Sequence, residues 1–488
     1  MLFFLNQETE INYIEVSFLG AIFKDRAYFY NITFKSMIDF SYAIFENEVR
    51  FCNTYFESVV HFSFTKFKGV CDFSNTKFLA TQKKEERNRI CFDDTEFEDI
   101  VHFYSAKFES KVLFCKSVFK SKVNFNGAEF STSHYDDAEI NNFDNVTFES
   151  DAWFDDIIFN SSVLFSKCEY KGNIYMRNIT SKQQLYFYES LFLSNVYFNN
   201  SHFKDYVSFC ECEFEKTACF YGVKFDKTPN FSQAIFKGNL NVVNTNLNFT
   251  FDDLQERIKQ EYEDFNKNIE NKKPLDKFAN DFRDSFRIFK SALIKDNNLL
   301  DASNFHKYEL YCKEIELKNK KGQTFKDVVD RWQLLFYRKL CDHHTNLILN
   351  LKWFIVIVGF FTSILFGLRY GDGNLMQFFN KDSDLLKMLK NILNIKALND
   401  SNATYLILLY SFIGLFFVRT FFIFYYLVIF ILMLAISPYN LFTMINFAIR
   451  HETNSFLENI IIIIYTLSIV LIIFSLQKTA RKNSIVPS

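Results

Sequence analysis

Few residues in this chain have the type and spacing that could do chemistry. Cys210, Cys212 and Cys219 offer soft sulfur ligands within one short stretch. Cys212, however, falls on a position that the surrounding pattern fills with small inward residues, which assigns it to a core. Asp342, His343 and His344 stand together and could contribute to a metal centre. Just before a long apolar run, the commoner role for such a pair is a polar rim. Arg419 is the single charge in the apolar run from Tyr405 to Ile436. It reads as a functional intramembrane group, a turn residue, or a side chain that snorkels to the interface. No Walker loop, HExxH pair, GxSxG elbow or Rossmann glycine set is present. The expectation is a non-enzymatic protein with no catalytic residue, no cofactor and no metal.

The elements that hold these residues announce themselves through composition. The chain has 488 residues, with 65 Phe against only 4 Pro and 12 Gly. Ordinary loops lean on Gly and Pro, so this chain turns its corners by another device. Its length implies two or more structural units. The formal net charge of −2 does not suit a basic face for phosphates, and no nucleic-acid partner is expected. The ten Cys show no paired spacing. The opening MLFFLNQETE has no basic n-region and too short an apolar run for a signal peptide. Reduced, cytosolic thiols follow as the expectation.

The phenylalanines keep a beat. Phe40, Phe45, Phe51, Phe56, Phe62, Phe67, Phe73 and Phe78 are separated alternately by five and six residues. The beat continues through Phe92, Phe97, Phe103, Phe108, Phe114, Phe119, Phe125 and Phe130, and in all runs from about Phe18 to Phe236. The position two before each Phe is small or β-branched, as at Ile38, Ala43, Val49, Thr54 and Val60. Two inward positions separated by one residue give the period of a strand. Short strands of this kind become stable only by stacking, so that each coil of about 22 residues buries its rings on the next. Burial of each ring contributes roughly 1.5–3 kcal/mol. Charged insertions around TQKKEERNR and STSHYDDAE leave the downstream phase intact. Between Tyr170 and Phe187, Met176 and Ser181 take the ring positions without loss of phase. About nine coils follow, or ~40–45 Å of solenoid at the usual strand spacing.

The segments AIFENEVRFCNTYFESVVHF and VLFCKSVFKSKVNFNGAEF resemble the pentapeptide-repeat family in a Phe-rich form. The resemblance implies a right-handed quadrilateral β-helix (a pentapeptide-repeat solenoid). The sixth residue on alternate sides departs from the strict five-residue period of the family. The expected organisation is an N-terminal cap (1–17), the β-helix (18–248) with loop insertions near 79–91 and 131–142, and an α-helical linker (249–350). A transmembrane α-helical region (351–477) and a basic cytoplasmic tail (478–488) follow. In the linker, apolar stripes at helical spacing predict helices through Leu254–Ile269, Leu275–Leu293, Ala302–Ile315 and Thr324–Leu340. The second and third should pair as an antiparallel hairpin and cover the C-terminal edge of the β-helix. The stretch FRIFKSALIKDNNLLDASNFHKYELYCKE also resembles the linker of membrane-bound pentapeptide-repeat proteins.

Three or four spans are expected: 353–369, then 405–418 and 420–436 or one long helix in their place, then 459–476. Basic residues at Arg338, Lys339 and Lys352, and after the last span, place both ends on the cytoplasmic side. Tyr370-Gly371-Asp372-Gly373 has the look of the end of a cation filter, but Leu368 and Arg369 precede it where a filter needs Thr-x-Gly. The leading functional expectation is a multi-pass scaffold of a bacterial inner membrane, partnered by the lipid bilayer and by unidentified proteins, with the solenoid cytoplasmic and room for an oligomer. One alternative is a channel or transporter with a β-helical regulatory domain. A lesser one follows from the resemblance: some soluble relatives mimic DNA and bind type II topoisomerases. That role needs an acidic rod, whereas lysines are interspersed throughout this repeat.

Overall fold

The computed structural model describes residues 3–4, 10–11, 16–79, 89–131, 140–268, 272–370 and 456–480. They form two compact units, divided between Leu334 and Leu335.

The first unit begins with a parallel β-solenoid of four sheets, containing 11, 11, 9 and 10 strands. That makes about ten turns rather than nine. The additional coil comes from residues ahead of the Phe beat: Phe3–Phe4 pairs with Ala27–Tyr28, and Glu10–Ile11 pairs with Thr33–Phe34. Nearly every strand is two residues long, with one residue facing in and its neighbour facing out. Both insertions are spanned in register, since Phe67 pairs with Phe97 and Phe119 with Phe148. The residues of the insertions themselves (80–88 and 132–139) lie outside the described residues.

The alternation of five and six residues corresponds to two kinds of corner. From Phe40 to Phe45 the chain makes a hydrogen-bonded turn, in which the Ala43 N–H donates to the Phe40 carbonyl at 3.0 Å. The third turn residue, Tyr42, is left-handed at φ 59°. From Phe45 to Phe51 the chain bends at Asn47, and the extra residue is used there. The left-handed position recurs at Asn31, Asn53, Asn75, Asp94, Asn145, Asn178 and Asn200. Asn and Asp tolerate that region better than other non-glycine residues. This is the device that replaces Gly and Pro. It also operates at Phe64, Lys116 and Glu189, where a steric cost of roughly 1–2 kcal/mol applies to each. Stacking offsets the cost, because the left-handed N–H reaches the next coil: Asn53 donates to Ser74 O and Tyr42 to Ser63 O, both at 2.9 Å.

Inside, the rings form columns. Phe40 stacks on Phe62 at 5.1 Å and 2° between planes, and Phe92 stacks on Phe114 at 4.6 Å and 3°. Across the core the columns meet edge to face, as for Phe40 and Phe51 at 5.6 Å and 77°. Both geometries suit the ring quadrupole. The small residue before alternate rings has its own role. Thr65, Thr76 and Thr95 are buried, and each Oγ1 donates to the carbonyl of a ring residue one coil back (Phe40, Phe51 and Phe62) at 2.7–2.8 Å. A small polar side chain thereby fills the corner and gives a buried carbonyl a second donor.

The Phe core continues without a break into three helices. Helix α1 (Phe251–Phe265) starts at Thr250, which forms a capping box with Asp253. Helices α2 (Leu275–Lys295) and α3 (Leu299–Asn319) are joined by a short turn, and Asn298 caps α3. Phe289 of α2 packs on Phe231 at 4.7 Å, and Tyr308 of α3 packs on Phe249 at 4.4 Å. The Tyr308 hydroxyl donates to Leu247 O at 3.1 Å. The last coil is thus covered by the helical hairpin, so its ring faces are not bare. Helix α4 (Phe325–Cys341) follows, and the unit boundary falls within it.

The second unit contains helices α5 (Leu347–Tyr370) and α6 (Phe456–Ala480). Within α6, Asn459–Ala480 is long and apolar enough to cross a membrane by length and composition. The apolar part identified in α5, Leu347–Ile357, is shorter. The middle spans expected at 405–436, Arg419, Gly371–Gly373 and the tail beyond Ala480 lie outside the described residues.

Candidate interaction surface

Because strands alternate in and out, each sheet presents one outward residue per coil. On one face, several charged residues in the strands and at the corners just after them pair along the axis. Lys66 meets Glu96 at 2.8 Å and Glu98 at 3.0 Å, Lys171 meets Glu149 at 3.4 Å, and Lys237 meets Glu215 at 2.6 Å. Exposed pairs of this kind add only about 0–1 kcal/mol each. Their effect is on the field: Lys66, Lys171 and Lys237 sit beside the acids they pair with, and apolar outward residues such as Ile22 and Ile235 flank the charged coils.

A second face differs. The strands Ala152–Trp153, Ile174–Tyr175 and Val196–Tyr197 lie side by side. Their first residues are buried, which forces the second ones outward. Trp153 stacks on Tyr175 at 5.6 Å, and Tyr175 on Tyr197 at 5.4 Å, each with 9° between planes. Polar ladders border this row. On one side, Asp151 Oδ1 accepts from the Asn173 N–H at 2.7 Å, and Asn173 Oδ1 accepts from Asn195 Nδ2 at 3.0 Å. On the other side, Arg177 grips Asp155 through Nε–Oδ1 at 3.0 Å and Nη2–Oδ2 at 2.5 Å. The Arg177 guanidinium lies 5.2 Å from the Tyr175 ring centroid. Hydrogen bonding to Asp155 pushes the Arg177 pKa up. Burial, assisted by the nearby Asp151 charge, raises the Tyr175 phenol. Asp155 Oδ1 also accepts from the Arg177 backbone N–H at 2.9 Å, so backbone and side chain fix the fork together. A rigid aromatic row beside a held arginine has the composition of an interface hot spot.

The residues singled out from sequence occupy other places. The Phe ladder from Phe40 to Phe130 is buried throughout, so its rings are unavailable to a ligand. Cys212 is fully buried and its thiol donates to the Phe187 carbonyl. Burial pushes Cys210 up to about 12 and Cys212 higher still, against the thiolate a soft metal needs. Among the described residues, no cluster of three His, Cys, Asp or Glu side chains could hold a metal ion. His343 and His344 are buried in the second unit. There His344 Nδ1 lies 3.5 Å from Cys341 Sγ, 3.3 Å from Ser475 Oγ and 3.4 Å from Thr479 Oγ1. Asn350 Nδ2 donates to the same two hydroxyls at 2.9 and 3.2 Å. This polar knot ties α5 to α6, as polar side chains do between apolar helices.

Trp153, Tyr175 and Tyr197 escaped sequence reasoning. Their signal is an aromatic repeated every full coil, one residue out of step with the inward column, and the denser Phe beat hides it.

The four-faced parallel solenoid with its outer aromatic row places the chain in the class of repeat proteins. Residues 18–65 match the family model described as pentapeptide repeats (9 copies). The coils beyond residue 65 continue the same pairing register. No curated protein and no solved structure matches the chain.

Proposed function

We propose that this chain is a protein-interaction scaffold, held to a membrane by its C-terminal helices and carrying the solenoid on the cytoplasmic side. The observation that carries the interaction role is the Trp153–Tyr175–Tyr197 row with its fixed Asp155–Arg177 fork. The partner this chemistry suits is a protein surface offering apolar groups flanked by a carboxylate or backbone carbonyls. No reaction is assigned, and the lysines paired with the acids of this face disfavour a DNA-mimicking role. Membrane attachment rests on α6 and on the apolar start of α5. Photo-crosslinking from position 175 in native membranes tests the interaction role, with position 107 on another face as control. Discrete adducts from 175 that vanish in Tyr197→Ala support it. The same adducts from both positions would refute it.

A second reading, a transport protein with a regulatory solenoid, draws on the buried knot of His344, Asn350, Ser475 and Thr479. It requires solute flux in liposomes that responds to Asn350→Leu. Tight vesicles with purified protein would exclude it.

A further inference from the structure

Among the described residues, nothing covers the apolar stripe of α4. Phe325 is 85% exposed and Trp332 67%, and Val328, Val329 and Phe336 are exposed with them. At these spacings the five residues share one arc of the helix. Lys326, Asp330, Arg331, Gln333 and Arg338 fall on the remaining arc. The stripe is not a frayed end. Thr324 and Asp327 form a capping box at the helix start: the Thr324 N–H donates to Asp327 Oδ2 at 2.9 Å, and the Asp327 N–H donates to Thr324 Oγ1 at 3.2 Å. Lys320 adds an ion pair to Asp327 at 2.9 Å. Hydrogen bonds from the Thr324 backbone, then from Lys320, hold the Asp327 carboxyl well below the usual carboxylate range. The helix is therefore set locally, yet most of the stability of a helix in a protein comes from packing its apolar face. Its apolar arc calls for an occupant.

Three features favour lipid over a second copy or a protein groove. Lys326, Arg331, Arg338 and Lys339 outnumber Asp327 and Asp330 on the helix, which suits anionic headgroups. Trp332 sits near the middle of the stripe, and Trp partitions to headgroup level. The chain then runs within a few residues into α5, whose Leu347, Ile348 and Leu351 are themselves exposed.

We propose that α4 lies in the plane of an anionic lipid surface, with Phe325, Val328, Val329, Trp332 and Phe336 inserted at the boundary between headgroups and acyl chains. This rests on the membrane attachment proposed above, and it makes α4 a second, in-plane anchor.

The test uses the full chain in vesicles of phosphatidylcholine and phosphatidylglycerol. Trp153→Phe with Trp353→Phe leaves Trp332 as the sole tryptophan of the original three. In a companion protein all three are replaced by Phe and Phe360→Trp, on an exposed position of α5, reports membrane insertion. The proposal expects Trp332 to emit to the blue of water-exposed tryptophan and to lose most of its fluorescence to lipids brominated near the headgroups. Quenching of Trp332 by aqueous acrylamide, while position 360 is quenched by lipid, would overturn the in-plane anchor and leave membrane attachment standing. Shielding of Trp332 from both quenchers would mean a protein covers the stripe, which also overturns it. Absence of lipid quenching at both positions would remove the attachment itself.

Discussion

Replacing Phe103 by Ala should open the solenoid locally and by a calculable amount. Phe103 is fully buried. It is stacked between Phe73 at 4.9 Å and Phe125 at 4.6 Å, and meets Phe114 edge-on at 5.7 Å. Phe→Ala in a packed core costs about 3–5 kcal/mol, from lost transfer energy and the cavity left behind. Short backbone segments pinned by inter-coil hydrogen bonds have little freedom to collapse into the gap, so the upper half of that range is expected. A solenoid's stability is roughly a sum of coil and neighbour terms. The loss should therefore concentrate in the coils of Phe73, Phe103 and Phe125. Hydrogen exchange measured by mass spectrometry on the full chain reads this directly. At ~1.4 kcal/mol per factor of ten, amide protection in Val101–His102 and Lys107–Phe108 should fall by roughly 10³-fold or more. Protection around Phe214, several coils away, should stay near its starting value. Unchanged protection at 101–108 would refute the stacked-ring core. A uniform loss from Phe40 to Phe214 would refute the nearest-neighbour account.

Thr76→Val keeps the shape of the side chain but removes the donor to Phe51 O. That carbonyl still accepts from the Thr54 N–H at 3.2 Å, so a loss of about 1 kcal/mol is expected, and Thr76→Ser should recover most of it in chemical unfolding. Glu309 titrates within the α2–α3 hairpin, where Lys290 reaches it at 2.6 Å and His306 at 3.1 Å. Burial opposes ionisation there, but hydrogen bonds from His306 and Lys290 outweigh it and bring the Glu309 pKa down to about 2. A depressed carboxylate stabilises the fold above its unfolded pKa of ~4.3 and ceases to do so as pH falls through the folded value. Exchange protection of α2 and α3 should thus drop between about pH 4.5 and pH 2, and Glu309→Gln should flatten that slope. An equally steep slope in Glu309→Gln would assign the acid sensitivity elsewhere.

The five-and-six alternation was legible because it reflects ring burial, the strongest energetic demand on these residues. The means of cornering was not. The left-handed position favours Asn, Asp and Gly but also accepts Tyr42, Phe64 and Lys116, because inter-coil hydrogen bonds help to hold it, and these exceptions dilute the compositional signal. The first coil was missed for a similar reason: Phe3–Phe4 and Glu10–Ile11 pair with the next coil without keeping the beat. The stripe of α4 could be read from spacing alone, but its exposure could not, since periodicity reports that a face is apolar and not what covers it. Trp153, Tyr175 and Tyr197 point away from the core, where burial imposes no pattern that a search for inward positions would find.

The helical hairpin seated on the last coil has a consequence for how the chain comes to be folded. Contacts between α2 and α3 are local, so this hairpin should form early, whereas each coil needs a neighbour as template. Phe289 and Tyr308 offer the first ready-made surface for Phe231 and Phe249. Growth should therefore run from the hairpin back towards the N-terminus, opposite to the direction of synthesis. The N-terminal coils would leave the ribosome long before the surface that seeds them. Pulse-labelled exchange during refolding would show it: coils near Phe214 should gain protection before those near Phe40, and the reverse order would place the seed at the other end.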